Sequence, residues 1–250
     1  MNFDLSGKIA VVTGGNGGIG FGMARGLADA GATVIITGRN AEKNELAATE
    51  LGPCASAVRL DVTNEEDCRG LFADIDKRFG KLDILINNAG INVRVRPEDL
   101  KIEDWRKVID TNVTSAFICS QLAYPLMLKA GGGKIINIGS MTTMFASPIT
   151  PAYAASKGAI VQLGRSLTTA WAKDNIQINA VLPGWINTDL TRAARRDIPG
   201  LNENVLSRTP ANRWGEPEDL AGIAVFLSSD ASNFVNGAAI PVDGGFAVRG

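Results

Sequence analysis

The chain has 250 residues, enough for one α/β domain with a large core. Its 25 Lys and Arg nearly balance 26 Asp and Glu, so neither a basic excess for nucleic acid nor an acidic tail is present. The sequence contains no histidine, which removes the commonest general base and the commonest metal ligand together. No metal site is expected. Cys54, Cys68 and Cys119 are odd in number and widely spaced, a pattern of reduced structural thiols rather than of zinc or disulfides. The first residues lack the charged start and apolar stretch of a signal peptide. No apolar run reaches the roughly 20 residues of a membrane span. A cytoplasmic location is the expectation.

Short apolar runs alternate with longer helical patterns along the chain. Residues 9–12 read as a first strand, 18–30 as a helix and 33–37 as a second strand. Strands at 57–60 and 84–86 enclose a helix at 65–79, and a long helix at 105–128 precedes a strand at 135–138. A helix at 153–173, a strand at 176–182, a helix at 218–228 and a strand at 239–242 complete the order. Continuous apolar strands suit a parallel sheet buried on both faces. Strand and helix in alternation predict a doubly wound sheet with helices on both sides. No linker or repeat divides residues 1–250, so one domain is expected. Residues 188–214 are polar and are broken by Pro199-Gly200 and Pro210. They read as an excursion from the sheet, a substrate lid.

The first strand runs into Thr13-Gly-Gly-Asn-Gly-Gly-Ile-Gly20. Glycines there permit positive φ, bring backbone N–H groups near a pyrophosphate and let the helix start close to the strand. The flanking strand and helix supply the context such a turn needs to be read as a dinucleotide site. Gly14, Asn16, Gly18, Ile19 and Gly20 are its candidate cofactor residues. After the second strand comes Gly38-Arg39-Asn40, with no carboxylate for a ribose 2′-hydroxyl. Arg39 suits bidentate contact with a 2′-phosphate. The expectation favours NADP(H), with NAD(H) as the alternative and a solvated Arg39 as the plain reading.

Hydride transfer to a carbonyl needs a proton donor for the developing alkoxide. Without histidine the donors left are Tyr, Lys, Asp and Glu. Tyr153 and Lys157 lie four residues apart in a helical stretch, on one face. An ammonium beside a phenol stabilises the phenolate.

Thr13-Gly14-x3-Gly18-x-Gly20, Asn87-Asn88-Ala89-Gly90, Asn112, Ser140, Tyr153-x3-Lys157 and Pro183-Gly184 follow one another in this order. Together they strongly resemble the short-chain dehydrogenase/reductase family, and the match extends to Val242-Asp-Gly-Gly245. The resemblance implies a Rossmann-like fold with a seven-stranded parallel sheet. It implies that Tyr153 is the acid/base, Lys157 lowers its pKa and holds the nicotinamide ribose, and Ser140 bonds the substrate oxygen. Asn112 would support a water relaying protons toward Lys157. Asn87, Ala89 and Gly90 would border the cofactor, and Asp61 and Val62 would flank adenine. Pro183, Gly184, Ile186 and Thr188 would meet the nicotinamide side. A homotetramer is implied, paired through helices around 113–128 and 154–172 and through the C-terminal strand.

The substrate is less specified. Arg94 and Arg96 follow the cofactor strand and could grip a carboxylate; solvent-facing charges are the plain alternative. Met141, Met144, Phe145 and Trp185 would line the opposite wall. The Arg-bearing loop, Gly133-Lys-Ile-Ile-Asn-Ile-Gly-Ser-Met141, Trp171-Ala-Lys and Arg213-Trp-Gly215 resemble the gluconate and deoxygluconate dehydrogenase branch. Glucose 1-dehydrogenases and 3-oxoacyl-carrier-protein reductases share part of this similarity. The expected reaction interconverts a secondary alcohol and a ketone on a sugar acid or polyol. The alternatives are acyl-carrier-protein reduction, helped by Arg192, Arg195 and Arg196, an apolar alcohol substrate, and a cofactor-binding regulator without turnover. Nucleic acid and membrane are not expected partners.

Overall fold

Seven apolar runs form one parallel sheet in the computed structural model, which describes residues 3–249. The strands are β1 (Ile9–Thr13), β2 (Thr33–Gly38), β3 (Ala55–Arg59), β4 (Ile84–Asn87), β5 (Gly133–Ile138), β6 (Ile176–Pro183) and β7 (Ala239–Val242). Their order is β3-β2-β1-β4-β5-β6-β7, with every pair parallel. Alternate residues of a strand face opposite sides of a sheet. Ala10, Val12, Ile36 and Ile86 accordingly enter one core with Met23, Leu27, Leu220 and Leu227. Val11, Ile35, Leu85 and Ile135 enter the other with Leu71, Ile75, Cys119 and Leu126. Burial on both faces explains why these strands read as unbroken apolar runs.

The helices are α1 (Gly18–Asp29), α2 (Ala41–Leu51), α3 (Glu65–Phe79), α4 (Ile102–Ile109), α5 (Ser115–Lys129), α6 (Pro151–Trp171), α7 (Asp189–Asp197), α8 (Leu201–Arg208) and α9 (Ala221–Ser228). The chain builds outward from β1 to β3, then returns to lay β4 on the other side of β1. This reversal opens a crevice at the carboxyl ends of β1 and β4, where open α/β sheets bind ligands. The three cysteines are free thiols. No helix of the described residues is long and apolar enough to cross a membrane.

Four expectations need adjustment. Helix α2 was not expected; Asn40 caps it by accepting from Lys43 N at 2.9 Å, and Asn44, Ala47, Ala48 and Leu51 form its buried stripe. The helix expected at 105–128 is two, α4 and α5, joined by a π turn over Asp110–Thr114. A π turn widens the ladder by one residue and is common at functional sites. The strand expected at 57–60 starts two residues earlier and ends one earlier, because Gly52 ends α2 at φ 97° and delivers the chain to Ala55. The excursion at 188–214 contains two helices. Thr188 caps α7 through a reciprocal pair with Thr191, and Gly200 at φ 74° turns the chain into α8.

Candidate active site

The glycine turn is tied down from beneath. Thr13, the last residue of β1, donates to Ile86 O and accepts from the N–H groups of Asn88 (3.0 Å) and Ala89 (3.1 Å). Asn88 Nδ2 returns bonds to Thr13 O and Gly14 O. The ends of β1 and β4 are thereby locked beside one another. Gly14 and Gly18 have φ of 62° and 53°, conformations that side chains disfavour. Gly20 has another reason to be glycine: a Cβ there would lie 2.4 Å from Asn88 Nδ2 and 2.5 Å from Gly14 O.

At the end of β2, Asn44 is almost fully buried and donates to Gly38 O (2.8 Å) and Val58 O (3.1 Å). It also accepts from Asn16 Nδ2 at 2.6 Å. The strand end that carries Arg39 is therefore braced from below by α2. Arg39 is exposed on the cleft and makes no ion pair among the described residues. Asp61 follows β3 and accepts from Thr63 N (3.0 Å) and Thr63 Oγ1 (2.7 Å). Those bonds hold its carboxyl below the usual range, with smaller help from Arg39 and Arg59. The cap of α3 is Asn64, which leaves the Asp61 side chain in its own turn at the cleft.

The reactive groups meet where α6 passes the end of β5. Thr150 and Pro151 start α6, so Tyr153 and Lys157 fall in its first two turns on one side. Lys157 is 5% exposed and its Nζ donates to Ile138 O at 2.7 Å. Burial pulls its pKa down to about 8. Its Nζ lies 5.5 Å from the Tyr153 ring centre. Burial holds the Tyr153 phenol above its ordinary value, outweighing a hydrogen bond with Ser140 and the charge of Arg94, which pull it down. Ser140 leaves β5 and accepts from Thr142 N at 3.2 Å. Thr143 Oγ1 donates to Lys157 O at 3.1 Å, pinning this loop to α6. Asn112 sits in the π turn. Its Oδ1 accepts from Ile91 N (2.8 Å), and its Nδ2 donates to Ile91 O (2.9 Å) and Ser156 Oγ (3.0 Å). It joins the loop after β4 to α6.

A cleft of about 670 Å³ runs from Arg39 and Asp61 to Tyr153 and Thr188. It is lined by Gly14, Asn16, Gly18, Ile19, Arg39, Asp61, Val62, Ala89, Gly90, Ser140, Tyr153, Lys157, Pro183, Gly184, Ile186 and Thr188. A cleft of this size suits an extended small ligand. The room is backbone-made: a Cβ at Gly90 would crowd Asn112 Oδ1 at 3.2 Å and stand 3.6 Å from Lys157 Nζ. These features fit a dinucleotide, with cations at one end and the Tyr153 group at the other.

Several expected residues lie elsewhere. Asn87 does not line the cleft. It turns inward, donating to Asn137 Oδ1 at 2.9 Å and Ser120 Oγ at 3.1 Å, because it pairs in register with Asn137 across β4 and β5. Gly20 and Asn112 act beneath the surface rather than on it. Arg96 points to solvent and pairs with Glu98 at 2.5 Å. Arg94 is half-buried and its charge reaches Tyr153. Met141 is buried, and Trp185 packs edge-on to Trp214 at 5.5 Å beside a smaller cavity of about 190 Å³. Met144 is exposed, and Phe145 packs under Arg208. Arg192 pairs with Asp189 at 2.6 Å, and Arg195 lies 3.7 Å over Trp214. Sequence reasoning missed Lys43, Asn88, Lys107 and Thr111, all on the cleft wall. Asn88 was visible as the partner of Asn87; Lys43 was hidden with the overlooked α2.

The family model described as enoyl-(acyl carrier protein) reductase matches residues 14–247. The 2-dehydro-3-deoxy-D-gluconate 5-dehydrogenase of Bacillus subtilis (strain 168) is 43% identical over 99% of this chain and 97% of its own. The gluconate 5-dehydrogenase of Gluconobacter oxydans (strain 621H) is 42% identical, covering 98% and 97%. The structure of a gluconate 5-dehydrogenase from Burkholderia cenocepacia J2315 in complex with NADP and tartrate superposes with a TM-score of 0.93 at 39% identity, covering 99% of this chain and 98% of that one. The fold, the site and these likenesses define an oxidoreductase acting on CH–OH groups. The chain belongs to the short-chain dehydrogenase/reductase family.

Proposed function

We propose that this chain is an NADP(H)-dependent dehydrogenase that interconverts a secondary alcohol and a ketone on a sugar acid. The observation that carries the reading is the meeting of Tyr153, Ser140 and Lys157 at one end of a dinucleotide-sized cleft. The relatives named for gluconate and deoxygluconate support the substrate class. The relative that holds NADP together with tartrate, a hydroxy acid, supports both cofactor and substrate class.

Bound NADP(H) supplies or accepts the hydride. In the oxidation direction, Tyr153 Oη takes the hydroxyl proton as the C–H hydride leaves; in reduction it returns that proton to the carbonyl oxygen. Ser140 Oγ holds the same substrate oxygen. The Lys157 ammonium stabilises the phenolate and donates to the nicotinamide ribose. The π turn at Asn112 offers backbone for a water that passes protons between Lys157 and solvent. Arg94 grips the substrate carboxylate. Asn16, Gly18 and Ile19 hold the pyrophosphate, Asp61 and Val62 flank adenine, and Arg39 meets the 2′-phosphate. Pro183, Gly184, Ile186 and Thr188 fix the nicotinamide ring. Residues 188–214 close over the substrate as a lid, and Met141 and Trp185 back its wall from deeper layers.

Reduction of an acyl-carrier protein fits less well, because Arg192 and Arg195 are already engaged within the chain. We propose a cytoplasmic homotetramer. Exposed Phe117 and Leu128 on α5, and exposed Phe234 and Val248 before and after β7 in the sequence, support apolar contacts between subunits. Nicotinamide absorbance tests the function against a panel of sugar acids, free sugars, polyols and acyl thioesters. Turnover of a sugar acid with NADP(H) supports the reading. Turnover only of uncharged alcohols or thioesters retains the chemistry and removes the substrate class.

A further inference from the structure

The Lys43 ammonium stands across the cleft mouth. Its backbone belongs to the first turn of α2, its Nζ lies 3.2 Å from Asp189 Oδ2, and Asp189 is the first residue of α7. Lys43 thus bridges the two banks of the cleft, from the strand end that carries Arg39 to the first turn of the lid. The same Nζ lies over the glycine turn. Gly17 has an extended backbone that any residue can adopt. A Cβ at Gly17 would begin 3.0 Å from Nζ and 3.2 Å from Cε, which places the end of Lys43 directly over this position. The lid leans on the next glycine as well, since a Cβ at Gly18 would meet Thr188 Cγ2 at 3.0 Å.

The bridge is easily exchanged. Both side chains are well exposed, 47% and 73%, and exposed ion pairs contribute little. Asp189 also holds Arg192 at 2.6 Å, so it keeps a cation when Lys43 leaves. Lys43 adjoins Arg39 and Asn40 on the cleft wall and has no other ion-pair partner among the described residues. A phosphate monoester carries nearly two negative charges and three acceptor oxygens, a stronger partner than a largely solvated carboxylate.

We infer that Lys43 discriminates between the two dinucleotides: it leaves Asp189 for the 2′-phosphate of NADP(H), pairing with Arg39 to hold it, and so reports cofactor occupancy to the first turn of the lid. This rests on the NADP(H) reading above and adds a residue, and a partner exchange, to it. Asp189 is then the resting partner that competes with the phosphate.

The test is equilibrium binding of two fragments, 2′,5′-ADP and ADP, to the full chain. Neither carries nicotinamide, so contacts at the Tyr153 end do not enter. The wild type should bind 2′,5′-ADP the more tightly. Lys43→Met should weaken 2′,5′-ADP by about tenfold, equal to about 1.4 kcal/mol, and ADP by less than about twofold. Lys43→Arg should retain the preference, and Asp189→Asn should tighten 2′,5′-ADP about twofold to threefold while leaving ADP nearly unchanged. Melting temperatures without ligand should stay close to wild type, since the pair is exposed. Equal weakening of both fragments by Lys43→Met assigns Lys43 to the 5′-phosphate that they share and overturns the inference. No weakening of either leaves it a partner of Asp189 alone and overturns it too. A wild type that binds both fragments alike removes the NADP(H) reading and this inference with it. A wild type that prefers 2′,5′-ADP and a Lys43→Met variant that prefers it equally remove only the inference.

Discussion

Lys157 is a buried ammonium whose burden on folding can be measured. Among the described residues its Nζ has one hydrogen bond, to Ile138 O, and burial pulls its pKa from 10.5 to about 8. That drop corresponds to about 3 kcal/mol set against the charged form in the folded chain. The unfolded chain therefore binds the proton more tightly. The cost is present in full below about pH 8 and is relieved as pH rises toward 10.5. Lys157→Met keeps the stem, removes the charge and leaves the Ile138 carbonyl without this donor, a loss of about 1–2 kcal/mol. Near neutral pH the variant should be more stable than wild type by about 1–2 kcal/mol, raising Tm by about 2–8 °C in a chain of this size. Urea unfolding of both proteins without cofactor, at matched concentration, gives the gap between them. Between about pH 7.5 and about pH 9.5 the wild type should gain about 2 kcal/mol on the variant. Parallel stability curves over that interval would refute the burial argument, whichever protein is the more stable. Turnover should be lost at every pH, so stability and activity move in opposite directions.

Arg94→Ala should raise KM for a sugar acid by about tenfold or more, the loss of a charge-assisted contact worth about 1.5–3 kcal/mol. Arg96→Ala, which breaks only the exposed pair with Glu98, should change KM less than about twofold; equal effects of the two would dismiss the Arg94 grip. Gly20→Ala should lower stability by about 1–3 kcal/mol, because its methyl would drive into Asn88 and the Gly14 carbonyl; a wild-type Tm would contradict that packing. Asn44→Ala should weaken dinucleotide binding severalfold in calorimetry without touching the ligand, since Asn44 braces Asn16 and the Gly38 strand end. Unchanged binding would show the brace to be dispensable.

The sheet was legible because every central strand is buried on both faces and so appears as an unbroken apolar run. Helix α2 was not, since its stripe is Asn44, two alanines and Leu51, and a buried asparagine reads as a polar surface residue. With α2 went Lys43, which is close to Arg39 in the cleft but not at the strand end where a phosphate partner is sought. The π turn at Asp110–Thr114 leaves no mark in residue type, because it is a change of hydrogen-bond register inside a continuous helical pattern. Asn87 and Asn88 shared one motif, yet strand alternation separates them: Asn87 pairs with Asn137 inside the sheet, while Asn88 ties the glycine turn. Tyr153 and Lys157 were legible as a pair on one helix face, and Ser140 only through the family resemblance, whereas the distinction between Arg94 and Arg96 required the loop to be folded.

The most direct test of the account compares wild type and Tyr153→Phe with NADPH and 5-keto-D-gluconate, following nicotinamide absorbance and, separately, cofactor affinity. The wild type should oxidise NADPH only with the keto acid present. The phenylalanine variant should turn over at least about a hundredfold to ten-thousandfold more slowly, with NADPH affinity within about threefold of wild type. A Tyr153→Phe protein that keeps full turnover, or a wild type that binds NADPH yet reduces no keto acid, would contradict the proposed acid/base and the proposed reaction respectively.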